Sequence, residues 1–286
     1  MSSHNYKLSF DNLRNVKHGF TLVEMLIIAP IVILVIGVFF SAIISMTGGV
    51  LAARGTNSLA YNIQDALNRI DTDVKSSGGY LATNSITLTS PQGYNNDTTN
   101  FHNADPTSGT MLILNTYATT ANPLSSTRSY VYTANQPNAC NSSLISQNPP
   151  VMMNIVYFIK TVNGISSLWR RVLAPSNYTT VGCVNGSIAP PWQQPTCATG
   201  YAAGFCMTND QELVDGVQAS GFTVNYYTSA SPTTPIANAS NNTLSDSTRQ
   251  TALQTANSIN ATIQATQTIA GHSISQSGTI RTALST

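Results

Sequence analysis

An α+β fold is what this chain predicts: one long N-terminal helix, apolar in its first half and amphipathic in its second, packed on an antiparallel β domain with long disulfide-stapled loops. Three observations carry that expectation. No charged residue occurs from Met25 to Met46. Beyond Gly48-Gly49, apolar residues recur at helical spacing at Leu59, Ile63, Leu67, Ile70 and Val74. From Ala82 onward the period falls to two, as in strands with one buried face.

Residues 1–19 carry Lys7, Arg14 and Lys17 against one acid, Asp11, and lack the apolar core and small-residue site of a cleaved secretory peptide. Their positive charge favours retention in the cytoplasm. The charge-free run that follows would extend about 33 Å as a helix, enough to cross a bilayer. Pro30 and Gly37 lie within it, and Pro30 is expected to kink or locally melt the helix. Glu24 stands near the head of this run. A carboxylate in lipid costs on the order of a few kcal/mol, so Glu24 calls for a partner that the segment itself does not contain. A cut after Gly19 would place the α-amine of Phe20 about one helical turn away. In a packed array that amine would pair with Glu24 of a neighbouring subunit.

The amphipathic half places Arg54, Asp65, Arg69, Asp71, Asp73 and Lys75 between its apolar positions, and Gly78-Gly79 ends it. From Phe20 to Lys75 the helix would be about 80 Å long. Asp71 and Asp73 lie two apart, so they do not face each other and do not suggest a cation site.

Strands are expected at 85–89, 111–117, 129–133, 153–161, 167–173, 222–228, 259–269 and 273–284. Asn163-Gly164 between the fourth and fifth is a strong signal for a tight hairpin. Arg170 and Arg171 adjoin in the fifth strand and so point to opposite faces, as solvated or paired residues rather than a ligand clamp. Trp169 and Tyr157 are expected to pack rather than to form a sugar platform. Long polar loops are expected at 90–109, 135–150, 174–209 and 229–247; loops of this length serve recognition or are stapled.

Cys140, Cys183, Cys197 and Cys206 all lie past the apolar run, an even number on the side that would be exported. Two disulfides are expected. Cys197 and Cys206 enclose an Ala/Gly-rich segment and are read as one pair, leaving Cys140 with Cys183, although four cysteines allow three connectivities and the sequence does not decide. Of the histidines, His4, His18, His102 and His272, none is near a cysteine in sequence, and no metal site or cofactor is expected. Past the apolar run there remain His102, His272 and one glutamate, Glu212, too few to suggest a catalytic triad or zinc-bound water; no enzyme is expected. Charged residues make up 8% of the chain and the net charge is +1, which weighs against nucleic acid as a partner.

The pattern of basic leader, Gly19, aromatic Phe20, Glu24 and a long apolar run resembles the signal of type IV prepilins and type II secretion pseudopilins. That resemblance covers roughly 25 residues. It implies a pilin fold divided as leader 1–19, membrane or filament-core helix 20–47, amphipathic helix 48–77 and globular domain 78–286. It also implies cleavage between Gly19 and Phe20, N-methylation of Phe20, and a Glu24 salt bridge during assembly. Further along, Leu67-Asn68-Arg69-Ile70-Asp71-Thr72-Asp73, the hairpin segments Val156-Tyr157-Phe158 and Leu168-Trp169-Arg170-Arg171, then Leu213-Val214-Asp215-Gly216-Val217, Phe222-Thr223-Val224-Asn225-Tyr226-Tyr227 and Ser277-Gly278-Thr279-Ile280-Arg281-Thr282 are similar in order to segments of the W-type minor pilins and J-type minor pseudopilins. The family's helix-breaking proline, further along than Pro30, is absent near Ser41. The implied partners are a prepilin peptidase and methylase, other minor and major pilins through their N-terminal helices, and an inner-membrane assembly platform. The implied location is a single-pass inner-membrane precursor with an exported domain, then the pilus. A minor pilin that primes assembly or sits at the tip is the leading expectation; a J-type pseudopilin, or a tip adhesin or DNA-uptake module, are the alternatives.

Overall fold

The structure is a computed structural model that describes residues 21–106, 109–134, 140–141, 148–201, 205–231 and 233–285. Among these, helix α1 runs from Leu22 to Lys75, followed by β1 (Ser77–Tyr80), β2 (Ala104–Asp105), β3 (Gly109–Thr110), β4 (Leu112–Tyr117) and β5 (Tyr132–Thr133). The central strands are β6 (Met152–Val162) and β7 (Ile165–Leu173); short β8 (Gly182–Val184), β9 (Ser187–Ile188), β10 (Thr196–Cys197) and β11 (Thr208–Asn209) lie in the cysteine-bearing region. The chain continues through β12 (Gln211–Asp215), β13 (Phe222–Tyr227), α2 (Asp246–Leu253), β14 (Ser258–Ile269) and β15 (His272–Ala283). The α+β class therefore holds, with antiparallel main sheets. The chain divides into an N-terminal unit through Val50 and a compact unit from Leu51 to Thr286.

Within the compact unit a five-stranded antiparallel sheet has the order β1-β4-β6-β7-β12, and a three-stranded one the order β13-β14-β15. Alternation along β6 and β7 assigns side chains to two buried layers. Met153, Ile155, Tyr157, Leu168 and Val172 join Leu59, Ile63, Leu67, Ile70 and Val74 of α1 and the inner residues of β13 and β14 in the larger core. Val156, Phe158 and Leu173 point the other way, into a second core with Ile86, Leu88, Phe101, Met111 and Ile113. Burial on both faces explains why β6 reads as a nearly continuous apolar run rather than an alternating one. The three-stranded sheet lies close on α1: a Cβ at Gly278 would meet Ile63 and Leu67, so glycine there permits the approach.

Both long hairpins turn through two residues of positive φ. Asn163 and Gly164 have φ 52° and 81°, the left-handed pair that matches strand twist. Ala270 and Gly271 do the same at 52° and 80°, with an alanine in a conformation that its β-carbon disfavours.

Several expectations are corrected. Residues 85–89 form no strand, because side-chain amides take the place of a ladder: Ser85 N–H donates to Asn154 Oδ1 at 2.8 Å, and Asn84 accepts from Phe101 N–H and donates to Ile86 O, both at 2.8 Å. Only Tyr132–Thr133 of 129–133 is strand. The helix is unbroken through Pro30, so the expected melting there is not seen; the pyrrolidine ring removes one backbone donor and leaves the rest of the helical ladder available. It ends at Lys75, and Ser77–Tyr80 pairs with β4. Strand β12 and helix α2 were not anticipated. The Ser245 side chain caps α2 by accepting from Thr248 N–H.

Candidate functional site

Among its described residues the N-terminal unit presents one chemical feature, an acid at the head of an uninterrupted apolar surface. Roughly twenty large apolar side chains between Leu22 and Leu51 are exposed, Leu22 to 82% and Ile44 to 71%. Exposing each costs about 1.5–3 kcal/mol relative to burial, so together they amount to tens of kcal/mol in water. Leu22–Lys75 contains a stretch long and apolar enough to cross a membrane.

Glu24 lies in the first turn of α1. Its Oε2 accepts from the Thr21 N–H at 2.9 Å and from the Thr21 hydroxyl at 2.8 Å, while its own N–H donates to Thr21 Oγ1 at 3.3 Å. This is a capping box: each residue satisfies an amide that the helix start would leave without a partner. The expectation that the segment lacks any partner for Glu24 is therefore corrected as to hydrogen bonds. Thr21 supplies hydrogen bonds and no cation. The Thr21-Leu22-Val23-Glu24 spacing was the signal for this cap. Gly19 and Phe20, the expected cleavage and methylation positions, lie outside the described residues.

In the compact unit, polar chemistry concentrates on the two faces of β7. Arg170 reaches Asp73 of α1 by two bonds, Nε to Oδ2 at 2.6 Å and Nη2 to Oδ1 at 3.2 Å, and the Tyr157 hydroxyl donates to the same Oδ2 at 2.6 Å. Arg69 Nε stands 4.0 Å from that oxygen. Burial, with the adjacent Asp73 charge, pushes the Tyr157 hydroxyl well above its ordinary range. Burial opposes the Arg170 charge, but Asp73 and Tyr157 outweigh it and hold the guanidinium more firmly protonated than usual.

Arg171, fully buried on the opposite face, donates through Nε to both Asp210 carboxylate oxygens at 3.0 Å. Its Nη1 donates to the carbonyls of Gln92 at 2.9 Å and Gly93 at 2.7 Å. The guanidinium carbon sits 5.7 and 5.3 Å from the Phe101 and Phe158 ring centres. The two arginines are thus paired and on opposite faces; neither is solvated. Asp71 is apart from Asp73, paired with Lys75 at 2.7 Å on the surface.

A cavity of about 160 Å³ opens beside Arg171, lined by Phe158, Lys160, Trp169, Tyr201, Asn96 and Asp210. Lys160 Nζ donates to Tyr94 O at 3.0 Å and to Asn96 Oδ1 at 3.2 Å. Partial burial, with the neighbouring Arg171 charge, lowers the Lys160 pKa; Asp210 and Asp97 oppose this. Trp169 and Tyr157 both sit in packed surroundings, Tyr157 completely buried.

The cysteines are joined as Cys140–Cys183 and Cys197–Cys206, across 43 and 9 residues. Such bonds persist in oxidising compartments, which suggests an exported domain. His102 Nδ1 lies 2.8 Å from Asp246 Oδ2, and the other oxygen of that carboxylate accepts from Arg249. Among the described residues no group of three His, Cys, Asp or Glu side chains is placed to hold a metal ion. Compared with protein-family models, with curated proteins and with solved structures, the chain finds no match.

Proposed function

We propose that the protein is a minor pilin of a type IV pilus, made as a membrane precursor, trimmed after Gly19, and drawn into a filament by its N-terminal helix. The observation that carries this reading is the single acid at the start of an exposed apolar helix that continues without a break into an amphipathic half. A membrane anchor needs the apolar stretch, and in it Glu24 would do no more than cap the helix with Thr21. A filament has both a dry helix bundle to receive the stretch and, on each incoming subunit, a new α-amine to neutralise the acid. The capping bonds from Thr21 are compatible with this: they orient the carboxylate at the helix start, where the Phe20 amine of a neighbour would approach. The pairing supplies about one charge neutralisation per subunit, and its worth is set by how completely water is excluded.

In this reading the β-rich unit is the part displayed outside, held rigid by two disulfides and by the arginine pairs of β7, and priming assembly or occupying the tip is its role. A J-type pseudopilin of a secretion system would use the same N-terminal chemistry; the neighbouring genes, retraction ATPase and major pilin or secretin and exoprotein pathway, distinguish them. The test is Glu24→Leu expressed beside the other pilins. It is expected to be cleaved at the wild-type rate yet to be missing from sheared filaments. Wild-type amounts of the variant in those filaments would refute the role assigned to Glu24.

A further inference from the structure

The turn at 93–99 is fastened over the outer face of the five-stranded sheet by its own backbone. Gly93 N–H donates to Asp97 O, Asn96 N–H to Gly93 O and Tyr94 N–H to Thr99 O, at 2.9, 2.9 and 3.0 Å. Asn96 adopts φ 62°, a left-handed conformation that asparagine tolerates. Its side-chain Oδ1 accepts from two donors distant in sequence, Lys160 Nζ at 3.2 Å and Arg171 Nη2 at 3.4 Å. An amine therefore lies against a carboxamide whose carbonyl oxygen is already approached by a guanidinium, and that guanidinium is fixed on Asp210 and two backbone carbonyls.

Three requirements for amide exchange meet here. Lys160 Nζ is held 3.2 Å from the carboxamide oxygen, one bond from the carbon it would attack, and groups fixed in such an array react as if at very high local concentration. A positive donor aimed at the oxygen where negative charge will develop stabilises the tetrahedral intermediate. A lysine becomes nucleophilic when it is desolvated or placed beside another cation, and Lys160 is half-buried next to Arg171. The rings of Tyr94, Phe101 and Phe158 meet edge to face at 5.3–5.9 Å and pack beside this group.

We propose that Lys160 and Asn96 become joined by an intramolecular isopeptide bond that the folded protein forms by itself. The neutral Nζ attacks Cγ of Asn96, forming a C–N bond while the carbonyl electron pair moves onto Oδ1 against Arg171. The proton lost by Nζ passes to Nδ2, directly or through water. As the carbonyl re-forms, the Cγ–Nδ2 bond breaks and ammonia departs. One amide replaces another, nothing is oxidised or reduced, and no co-reactant is consumed. Loss of ammonia to bulk water makes the step irreversible in practice. The product ties the 93–99 turn to β6 and adds a third covalent closure to those of the disulfides, on the opposite side of the sheet from α1.

The test is mass spectrometry of the full chain extracted in detergent, reduced and alkylated, as intact protein and after trypsin. The expected intact mass is lower by one ammonia than its termini require. Trypsin should fail to cut at Lys160, and a branched peptide should carry the segments of Asn96 and Lys160 together. Lys160→Arg, which retains charge and hydrogen bonding but cannot make the bond, should restore the full mass, as should Asn96→Ala. Loss of ammonia that persists in Lys160→Arg, on a linear peptide, identifies a succinimide at Asn96 and overturns the proposal. So does recovery of Asn96 and Lys160 on separate unmodified peptides after prolonged incubation of the wild-type protein at mildly alkaline pH.

Discussion

Removing the Asp73 carboxylate is the sharpest way to perturb the compact unit. In Asp73→Ala, Arg170 keeps its charge in a site where its side chain is 10% exposed, and the Tyr157 hydroxyl, wholly buried, loses its acceptor. Breaking a buried pair by deleting one partner costs about 3–5 kcal/mol, because the remaining charge stays uncompensated. The orphaned hydroxyl accounts for about 1–3 kcal/mol and overlaps that figure, since both groups meet one carboxylate. For a unit of this size, each kcal/mol moves the midpoint by about 2–4 °C, so the expected fall in Tm is about 6–20 °C. Fluorescence reports the transition well, because Trp169 is next to Arg170 on β7 and its environment changes when the strand unpairs. Arg170→Met combined with Asp73→Leu and Tyr157→Phe should recover most of the loss, because no charge or hydroxyl is then left buried alone. A drop of less than about 1 kcal/mol in Asp73→Ala would refute the placement of this pair in the core, since that is the size of an exposed ion pair.

Two further outcomes follow from the same packing. Burial raises the pKa of Tyr80, Tyr226 and Tyr157, and that of Tyr178 to about 12. The unfolded chain ionises these phenols first, so their contribution is intact below about pH 10 and stability falls as pH rises beyond it. In an alkaline absorbance titration their tyrosinate signal should appear together with unfolding; free titration near pH 10 in folded protein would contradict their burial. At the β14–β15 turn, Ala270→Asn should raise stability by about 1 kcal/mol, because asparagine tolerates φ 52° better than alanine. An unchanged or lower denaturation midpoint would refute the left-handed turn.

The long elements were legible because their signals are local. The charge-free run and the spacing from Leu59 to Val74 mark α1, Asn163-Gly164 marks the β6–β7 turn, and alternation over 259–269 marks β14. What stayed hidden depends on partners far along the chain. Residues 85–89 have the composition of a strand, yet Asn154, 69 residues away from Ser85, takes up the backbone amide that a ladder would use. Strand β12 is five residues with two acids and offers too short a pattern to read. The adjacent arginines were correctly placed on opposite faces by strand periodicity, but their burial follows from Asp73 and Asp210, which no spacing rule links to them. At the helix start the Thr21-Leu22-Val23-Glu24 spacing carries the signature of the cap, a local signal independent of the charge on Glu24.

Neutralising Glu24 in a filament requires a new amine at residue 20. The most direct measurement is the N-terminal mass of the protein recovered from cells that carry a prepilin peptidase. A first residue of methylated Phe20, and an unprocessed precursor nineteen residues longer in Gly19→Ser, is the expected result. A mature chain that retains Met1, or that begins at any residue other than Phe20, would contradict it.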